Sequence, residues 1–408
     1  MATDVVVTGM GVVSPVGNDI ETFWKNLCAG QSGVRLVAEF EEAQLTSCIA
    51  GQCEARYPAD LSDKDVRRRD RYALFAMSAA DQAWAQSGLD IEQEDSGRCG
   101  VVIGSGIGGF VSCQAEFARF LDQGPRRVSP LTVPKMLTNI AGADVAIRLG
   151  LRGPNKAVVS ACSTGAQSIS DAATAILAGQ ADVMVAGGTE ASLTPFAMAG
   201  FCAMRALSRR NDEPERASRP FDADRDGFIM SEGAGIVVLE SEAHARARGA
   251  AVLGRLAGYA ETCDAYHITA PRPDGSGAVA AMRGAMEHAG ITPADVDYFN
   301  AHGTSTQLND VAEAAALVQV FGDAMPPVSS TKSVLGHQLG AAGSVEAIVC
   351  LLSIRDGIVP PSINYDTPDP ECPVNLVAHK AQRRDVAIAL SNSLGFGGHN
   401  STLVFSKV

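Results

Sequence analysis

The sequence predicts an α/β fold, a mostly parallel sheet covered by helices on both faces. Short β-branched apolar runs alternate with stretches of helical spacing along the whole chain. Residues are 46% hydrophobic and 19% charged but only 5% aromatic, a mix rich in alanine, glycine and valine that suits close helix–sheet packing. Several apolar runs end in glycine turns, where open α/β sheets collect ligands.

Residues 4–10 (DVVVTGM) read as a strand ending in glycine. Ile20–Ala29 reads as an amphipathic helix capped by Asn18 or Asp19, and residues 31–65 as irregular and polar. Arg71–Ser87 is a predicted helix closed by Gly88, and Cys99–Ile103 a buried strand running into Gly104-Ser-Gly-Ile-Gly-Gly109. Residues 110–150 form a long insertion with helical pieces, broken at Pro125 and Pro130. Val158 and Val159 read as a buried strand end, followed by Ala161-Cys-Ser-Thr-Gly165 and a helix over Ala166–Ala178. Val183–Ala186 is a strand ending in Gly187-Gly188; residues 205–232 are charged and loop-like; Ala234–Glu240 is a strand.

A second half begins near Ala251, which divides the chain into residues 1–250 and 251–408. Its predicted elements are a strand (Val252–Tyr259), a helix (Gly277–Ala289), a strand (Val296–Asn300) ending at His302-Gly303, and a helix (Asp310–Phe321). Then come Val328–Thr331, a helix from about Ala341 to Arg355, and strands Ala387–Asn392 and Thr402–Ser406 around Gly395-Phe-Gly-Gly398. The passage from Ala79 through Gly88 to Gly104-Ser-Gly106 resembles that from Ala280 through Gly290 to His302-Gly-Thr304, as a duplicated βα unit would.

A net charge of −13 argues against nucleic acid as a partner. No basic stretch followed by an apolar run opens the chain, and no apolar run is long enough to cross a bilayer. Ten scattered cysteines lack metal-ligand spacing and fit reduced thiols in a cytoplasm. Among them Cys162 stands out, since a strand-to-helix turn gives it the positive end of a helix, which favours a thiolate nucleophile. Cys162, His302 and Lys332 each follow a predicted strand, which places them at one rim.

The combination of Ala161–Gly165, Asn300-Ala-His-Gly-Thr-Ser-Thr306, Ser330-Thr-Lys-Ser-Val-Leu-Gly-His337 with Gly340-Ala-Ala-Gly343, and Gly395–Gly398 resembles the β-ketoacyl-acyl-carrier-protein synthases, closest to the synthase II type. Ala186–Glu190, Ser218–Asp222 and Arg225–Phe228 also match, and the resemblance runs from Val5 to Phe405. It implies a thiolase-like fold, layered αβαβα, built from two similar βα halves. It also implies a decarboxylating Claisen condensation. Cys162 would hold the acyl chain, His302 and His337 would stabilise the enolate from malonyl thioester, and Lys332 would add charge or support. The N–H groups of Cys162 and Phe396 would form an oxyanion hole, with Phe396 as a gate.

The resemblance further implies that Thr269, Thr304 and Thr306 bind phosphopantetheine and that Ile107 and Phe201 line an acyl tunnel. Asn300, Ala301, Glu346, Ser391 and Asn392 match positions that hold a monovalent cation, Na⁺ or K⁺, in some relatives; their other reading is a buried polar network around Glu346. No cofactor of the protein's own is required. Departures are Thr306-Gln-Leu-Asn-Asp310 for a more usual Pro-x-Gly-Asp, Leu394 for Phe and His399 for Thr, which bear on loop motion and chain length. Acyl carrier protein is the expected partner, docking on Arg67, Arg68, Arg69, Arg126, Arg127, Arg205 and Arg209, with Arg71 and Arg210 nearby. A homodimer joined through the 110–150 insertion is expected. The competing readings are a polyketide ketosynthase, a degradative thiolase and a non-catalytic chain-length subunit. A thiolase needs a cysteine where Phe396 stands, and a chain-length subunit lacks the nucleophile.

Overall fold

The computed structural model describes residues 4–54 and 57–408. Ten strands form one sheet: β1 (Val5–Val13), β2 (Cys99–Gly104), β3 (Asn155–Lys156), β4 (Val183–Glu190), β5 (Gly233–Ser241), β6 (Gly254–Cys263), β7 (Tyr298–Asn300), β8 (Val328–Ser329), β9 (Ile388–Gly395) and β10 (His399–Ser406). Their order is β8-β7-β9-β10-β6-β1-β5-β4-β2-β3. Read outward from the centre, each half runs first, fifth, fourth, second, third. Directions repeat as well: the first, fifth and fourth strands of each half pair antiparallel, and the fourth, second and third pair parallel. The resemblance noticed between Ala79–Gly106 and Ala280–Thr304 is thus one part of a repeat that covers both half-sheets. The halves join through a short antiparallel contact in which Val5–Val7 faces Gly254–Leu256.

The expectation of a mostly parallel sheet is corrected, since antiparallel pairs slightly outnumber parallel ones. Hairpin closure is one cause. The turn Phe396–Gly398 returns β10 directly against β9, with Gly397 and Gly398 at positive φ (87° and 79°).

Six helices build the layers: α1 (Arg71–Ser87), α2 (Ile140–Leu149), α3 (Thr164–Leu177), α4 (Ser276–Ala289), α5 (Gln307–Phe321) and α6 (Ala342–Asp356). α1 and α2 cover the outer face of the first half-sheet, α4 and α5 that of the second. α3 and α6 lie between the half-sheets and touch both, giving five layers, αβαβα. α6 is small or apolar nearly all round and buried from Ala342 to Ile354, as a central helix must be. The two central helices approach closely at their starts. A Cβ on Gly165 would lie 2.7 Å from the backbone nitrogen of Ser344, and one on Gly343 would lie 2.8 Å from that of Ala166. This contact brings the start of α3, just beyond Cys162, against the start of α6, just beyond His337.

Helix limits follow local chemistry. Asp70 accepts the Tyr72 N–H to start α1, and Gly88, at φ 69°, stops it as read from the sequence. Two readings fail. Residues 31–65 hold short strands at Val34–Leu36 and Ile49–Gly51 and short helices at Ala38–Glu42 and Asp63–Arg67. Val158 and Val159 are not a buried strand end: β3 stops at Lys156 and Val159 is 53% exposed. The chain there runs along the sheet's outer edge, where β-branched residues keep extended geometry without burial.

Candidate active site

Cys162 lies in a tight turn, Ala161–Ser163, that leads into α3. Ala161 adopts φ 50°, a left-handed conformation that a non-glycine residue holds only where its surroundings impose it. The turn is closed from the other half: the Ser163 hydroxyl donates to the carbonyls of Ser393 (3.3 Å) and His399 (3.1 Å). Gly395 packs so near that a Cβ there would lie 2.7 Å from the Ser160 carbonyl oxygen. The backbone N–H groups of Phe396 and of Cys162 itself therefore face the Cys162 sulfur.

Beyond the sulfur opens a cavity of about 440 Å³ whose lining joins both halves. It includes Cys162, His302, His337, Phe396, Ile107, Phe201, Thr269, Thr304 and Thr306, so every residue singled out for chemistry or substrate contact except Lys332 reaches one space. His302 and His337 meet edge to face, with ring centroids 5.3 Å apart. Phe201, Phe228 and His337 continue as an edge-to-face row, each step 5.5 Å. The Thr304 and Thr306 hydroxyls pair at 2.9 Å.

Second partners fix both imidazoles. Lys332 Nζ donates to His302 Nδ1 at 3.4 Å, and the Leu339 N–H donates to His337 Nδ1 at 3.3 Å. Each ring therefore carries its hydrogen on Nε2, the atom left to act on a ligand. Burial, with the Lys332 charge, holds both rings well below the usual histidine range, so they stay neutral. Lys332 is buried behind His302 and ion-paired to Glu346. It does not line the cavity itself, and its charge reaches His302, His337 and Cys162.

The expectation of a resting thiolate is corrected. Burial pushes the Cys162 thiol up to about 12; the Lys332 charge and the Phe396 N–H pull it down, and Glu190 adds to the rise. Desolvation outweighs the favourable end of α3.

Two buried carboxylates were missed. Glu313 accepts the backbone N–H groups of His302 (2.8 Å) and Gly303 (2.7 Å) and also the Asn392 amide (2.9 Å). Glu190 accepts from Ser105, Gly106 and Gly340. Each is a lone acid in an apolar run, VMVAGGTE or VAEAAAL, and such an acid needs donors if it is to be buried.

The candidate cation site has unpaired donors and acceptors. Asn300 Oδ1 and Nδ2, Glu346 Oε2 and Ser391 Oγ are buried without a partner. The Asn392 side chain is already committed to Glu313 and Thr402, and Ala301 can offer only its carbonyl. Oxygen-rich and partly unsatisfied, the set fits a hard monovalent cation.

The arginines divide. Arg67, Arg68, Arg126, Arg127, Arg205 and Arg209 are exposed, and Arg205 stands at the cavity. Arg69 is ion-paired to Asp144 at 3.0 Å, Arg71 to Glu232, and Arg210 donates to the Asp224 carbonyl. Those three are held by partners within the chain.

A turn that presents a cysteine to the same cavity as two Nε2–H imidazoles, on a duplicated five-layer fold, defines a thiolase-like acyl-transfer site. The family model "Beta-ketoacyl synthase, N-terminal domain" matches residues 2–245, and "Beta-ketoacyl synthase, C-terminal domain" matches 253–366. The chain is 49% identical over 406 residues to 3-oxoacyl-[acyl-carrier-protein] synthase 2 of Staphylococcus aureus, covering 99% of this chain and 98% of that one. It is 48% identical to the enzyme of that name from Vibrio harveyi, with the same coverage. A β-ketoacyl synthase from Burkholderia phymatum superposes with TM-score 0.94 at 35% identity, over the full length of both chains. A type II polyketide ketosynthase, solved in complex with its acyl carrier protein, superposes with TM-score 0.93 at 33% identity, again over both full lengths. The chain belongs to the β-ketoacyl synthase family.

Proposed function

We propose that this protein is an elongating condensing enzyme, a 3-oxoacyl-[acyl-carrier-protein] synthase of the synthase II type. The observation that carries the reading is the convergence of the Cys162 sulfur and two Nε2–H imidazoles on one cavity. In the first step the Cys162 sulfur attacks the acyl thioester of the carrier's phosphopantetheine. A C–S bond forms to Cys162, the pantetheine sulfur leaves, and it takes up the thiol proton. The N–H groups of Cys162 and Phe396 hold the oxyanion, and Phe396, at a hairpin tip beside two glycines, is the gate.

Malonyl thioester then loses CO2. His302 and His337 donate Nε2–H bonds to the thioester oxygen as it becomes an enolate oxygen. The enolate carbon attacks the acyl carbonyl on Cys162, the C–S bond breaks, and a 3-oxoacyl chain two carbons longer leaves on the carrier. Lys332 positions His302 in the donating tautomer and is held by Glu346. Thr269, Thr304 and Thr306 would bind the pantetheine arm, and Ile107 and Phe201 would receive the acyl chain. Asn300, Ala301, Glu346, Ser391 and Asn392 would hold Na⁺ or K⁺, whose charge would support the Lys332–Glu346 region. No other cofactor is invoked.

Identity of 49% to the S. aureus synthase 2, against 33% to the polyketide ketosynthase, supports fatty acyl over polyketide substrates. The polyketide relative's carrier complex supports acyl carrier protein as partner, docking on exposed Arg67, Arg68, Arg126, Arg127, Arg205 and Arg209. Exposed Phe117, Leu121, Val133 and Ile147, with Val159 and Phe196, support a homodimer through the 110–150 insertion. Light scattering at twice the chain mass would test it. No helix among the described residues is long and apolar enough to cross a membrane, and a working thiol nucleophile suits the reducing cytoplasm. Mass spectrometry after incubation with carrier thioesters of graded length tests the whole reading. The expected result is one acyl group on Cys162; no loading at any length would overturn it.

A further inference from the structure

Glu190 has no part in the steps above, yet it lies beneath them. It ends β4, is fully buried, and holds Gly106 against the Cys162 turn, where a Cβ on Gly106 would lie 3.6 Å from the Ala161 carbonyl oxygen. Oε1 accepts the Ser105 hydroxyl at 3.0 Å; Oε2 accepts the N–H of Gly106 at 2.9 Å and that of Gly340 at 3.2 Å. The first two follow β2 and lead into Ile107 on the acyl wall. The third belongs to the turn three residues beyond His337. One carboxylate thus ties the acyl wall of one half to the imidazole-bearing loop of the other.

The clamp is tight. A Cβ on Gly106 would lie 2.8 Å from Glu190 Oε2, and one on Gly340 would lie 2.9 Å from it and 2.4 Å from the Gly106 nitrogen. Glycine at both positions is what lets the carboxylate bridge them. The donors to Glu190 are backbone N–H groups and a hydroxyl, whereas Glu346 faces the Lys332 cation. A negative charge so placed is screened by dipoles alone and still acts on the sulfur.

We propose that Glu190 is a positioning residue for condensation. It holds Ile107 and the His337 turn in register, and its buried charge lies behind the turn that carries Cys162, so that the acyl wall and the nucleophile answer to the same group. Two titratable groups feel its charge, Cys162 and Tyr72. Burial pushes the carboxyl up to about 7, opposed by its N–H and hydroxyl donors, so its charge is lost as pH falls through the neutral range.

The proposal rests on the condensing reading, but one arm of its test does not. Alkylation of Cys162 by iodoacetamide needs no substrate, and wild-type condensation is assayed separately, so failure of either idea shows by itself. Glu190→Gln removes the charge and keeps the volume. The variant is expected to alkylate several-fold faster than wild type at pH 8, with the advantage shrinking as pH falls. Its kcat/KM ratio for long against short acyl thioesters should also shift, because the Ile107 wall loses its tether. Should Glu190→Gln not fold, Ser105→Ala removes one donor with little change of volume. It should raise the pH 8 rate about threefold by keeping Glu190 protonated to higher pH. Wild-type alkylation at pH 8 in the variant that folds, or an unaltered chain-length ratio, overturns the proposal.

Discussion

The two halves share a strand order and a layer plan but divide the chemistry. After the second strand, the first half places Ser105-Gly-Ile107, a wall, where the second places His302-Gly-Thr304, a donor. Between the third strand and the central helix, the first half places Cys162, the second Lys332 and His337. The repeat fixes where side chains emerge around the cavity and leaves their identity free. One half can hold an acyl group while the other handles the malonyl unit, and the helix contact at Gly165 and Gly343 keeps the two in register.

Breaking the first half's contribution should have the largest effect. Cys162→Ala is expected to abolish condensation while leaving carrier binding intact, read as product formation against a binding isotherm. Elongation at the wild-type rate would end the proposed mechanism. Removing a donor from the second half comes next. His302→Ala or His337→Ala should cost about 10²–10³-fold in malonyl decarboxylation, the usual worth of one oxyanion donor. Cys162 should still be alkylated in both variants. If either histidine change also stops alkylation, the division between the halves is wrong.

The docking arginines sharpen the same contrast from outside. Reversing Arg67 and Arg68 to Glu should raise KM for carrier substrates about tenfold at low salt, with kcat nearly unchanged, since steering acts on encounter. Reversing Arg69 alone should instead lower thermal stability, because its partner Asp144 would face a like charge. An unchanged KM in the double reversal would return that face to ordinary solvated surface.

Much of this was legible in the sequence where local chemistry decides. Gly88 closes α1 as its position predicts, and the motifs around Cys162, His302, His337 and Phe396 bring those four residues to one cavity. What was not legible depends on three-dimensional context. The valines before Cys162 have strand character, but the edge of the sheet leaves Val159 in solvent. The helix start at Cys162 suggested a thiolate, but burial, invisible along the chain, outweighs it. Arg69 and Arg71 looked like their neighbours until Asp144 and Glu232, 75 and 161 residues away, claimed them.

The smallest effect tests the same residue type in opposite surroundings. His302 and His337 sit among burial and positive charge and are driven neutral; His244 lies between two carboxylates, Glu240 at 2.7 Å and Glu94 at 2.9 Å. Burial alone would lower it too, but its hydrogen bonds to Glu240 and Glu94 outweigh that and raise it above 6.5. A raised pKa means that the imidazolium contributes stability fully present below the unfolded value of about 6.5 and lost as pH rises through the folded value. The group is partly exposed, so screening limits the contribution to about 0.5–1 kcal/mol, or ~2 °C in Tm. His244→Gln should therefore melt below wild type at pH 6 by about that margin, and the gap should close as pH rises toward 9. A gap that widens with pH would mean that the neutral ring is the stabilising form. The contrast between the histidines of the cavity and this one, paired with Glu240 and Glu94, would then have to be given up.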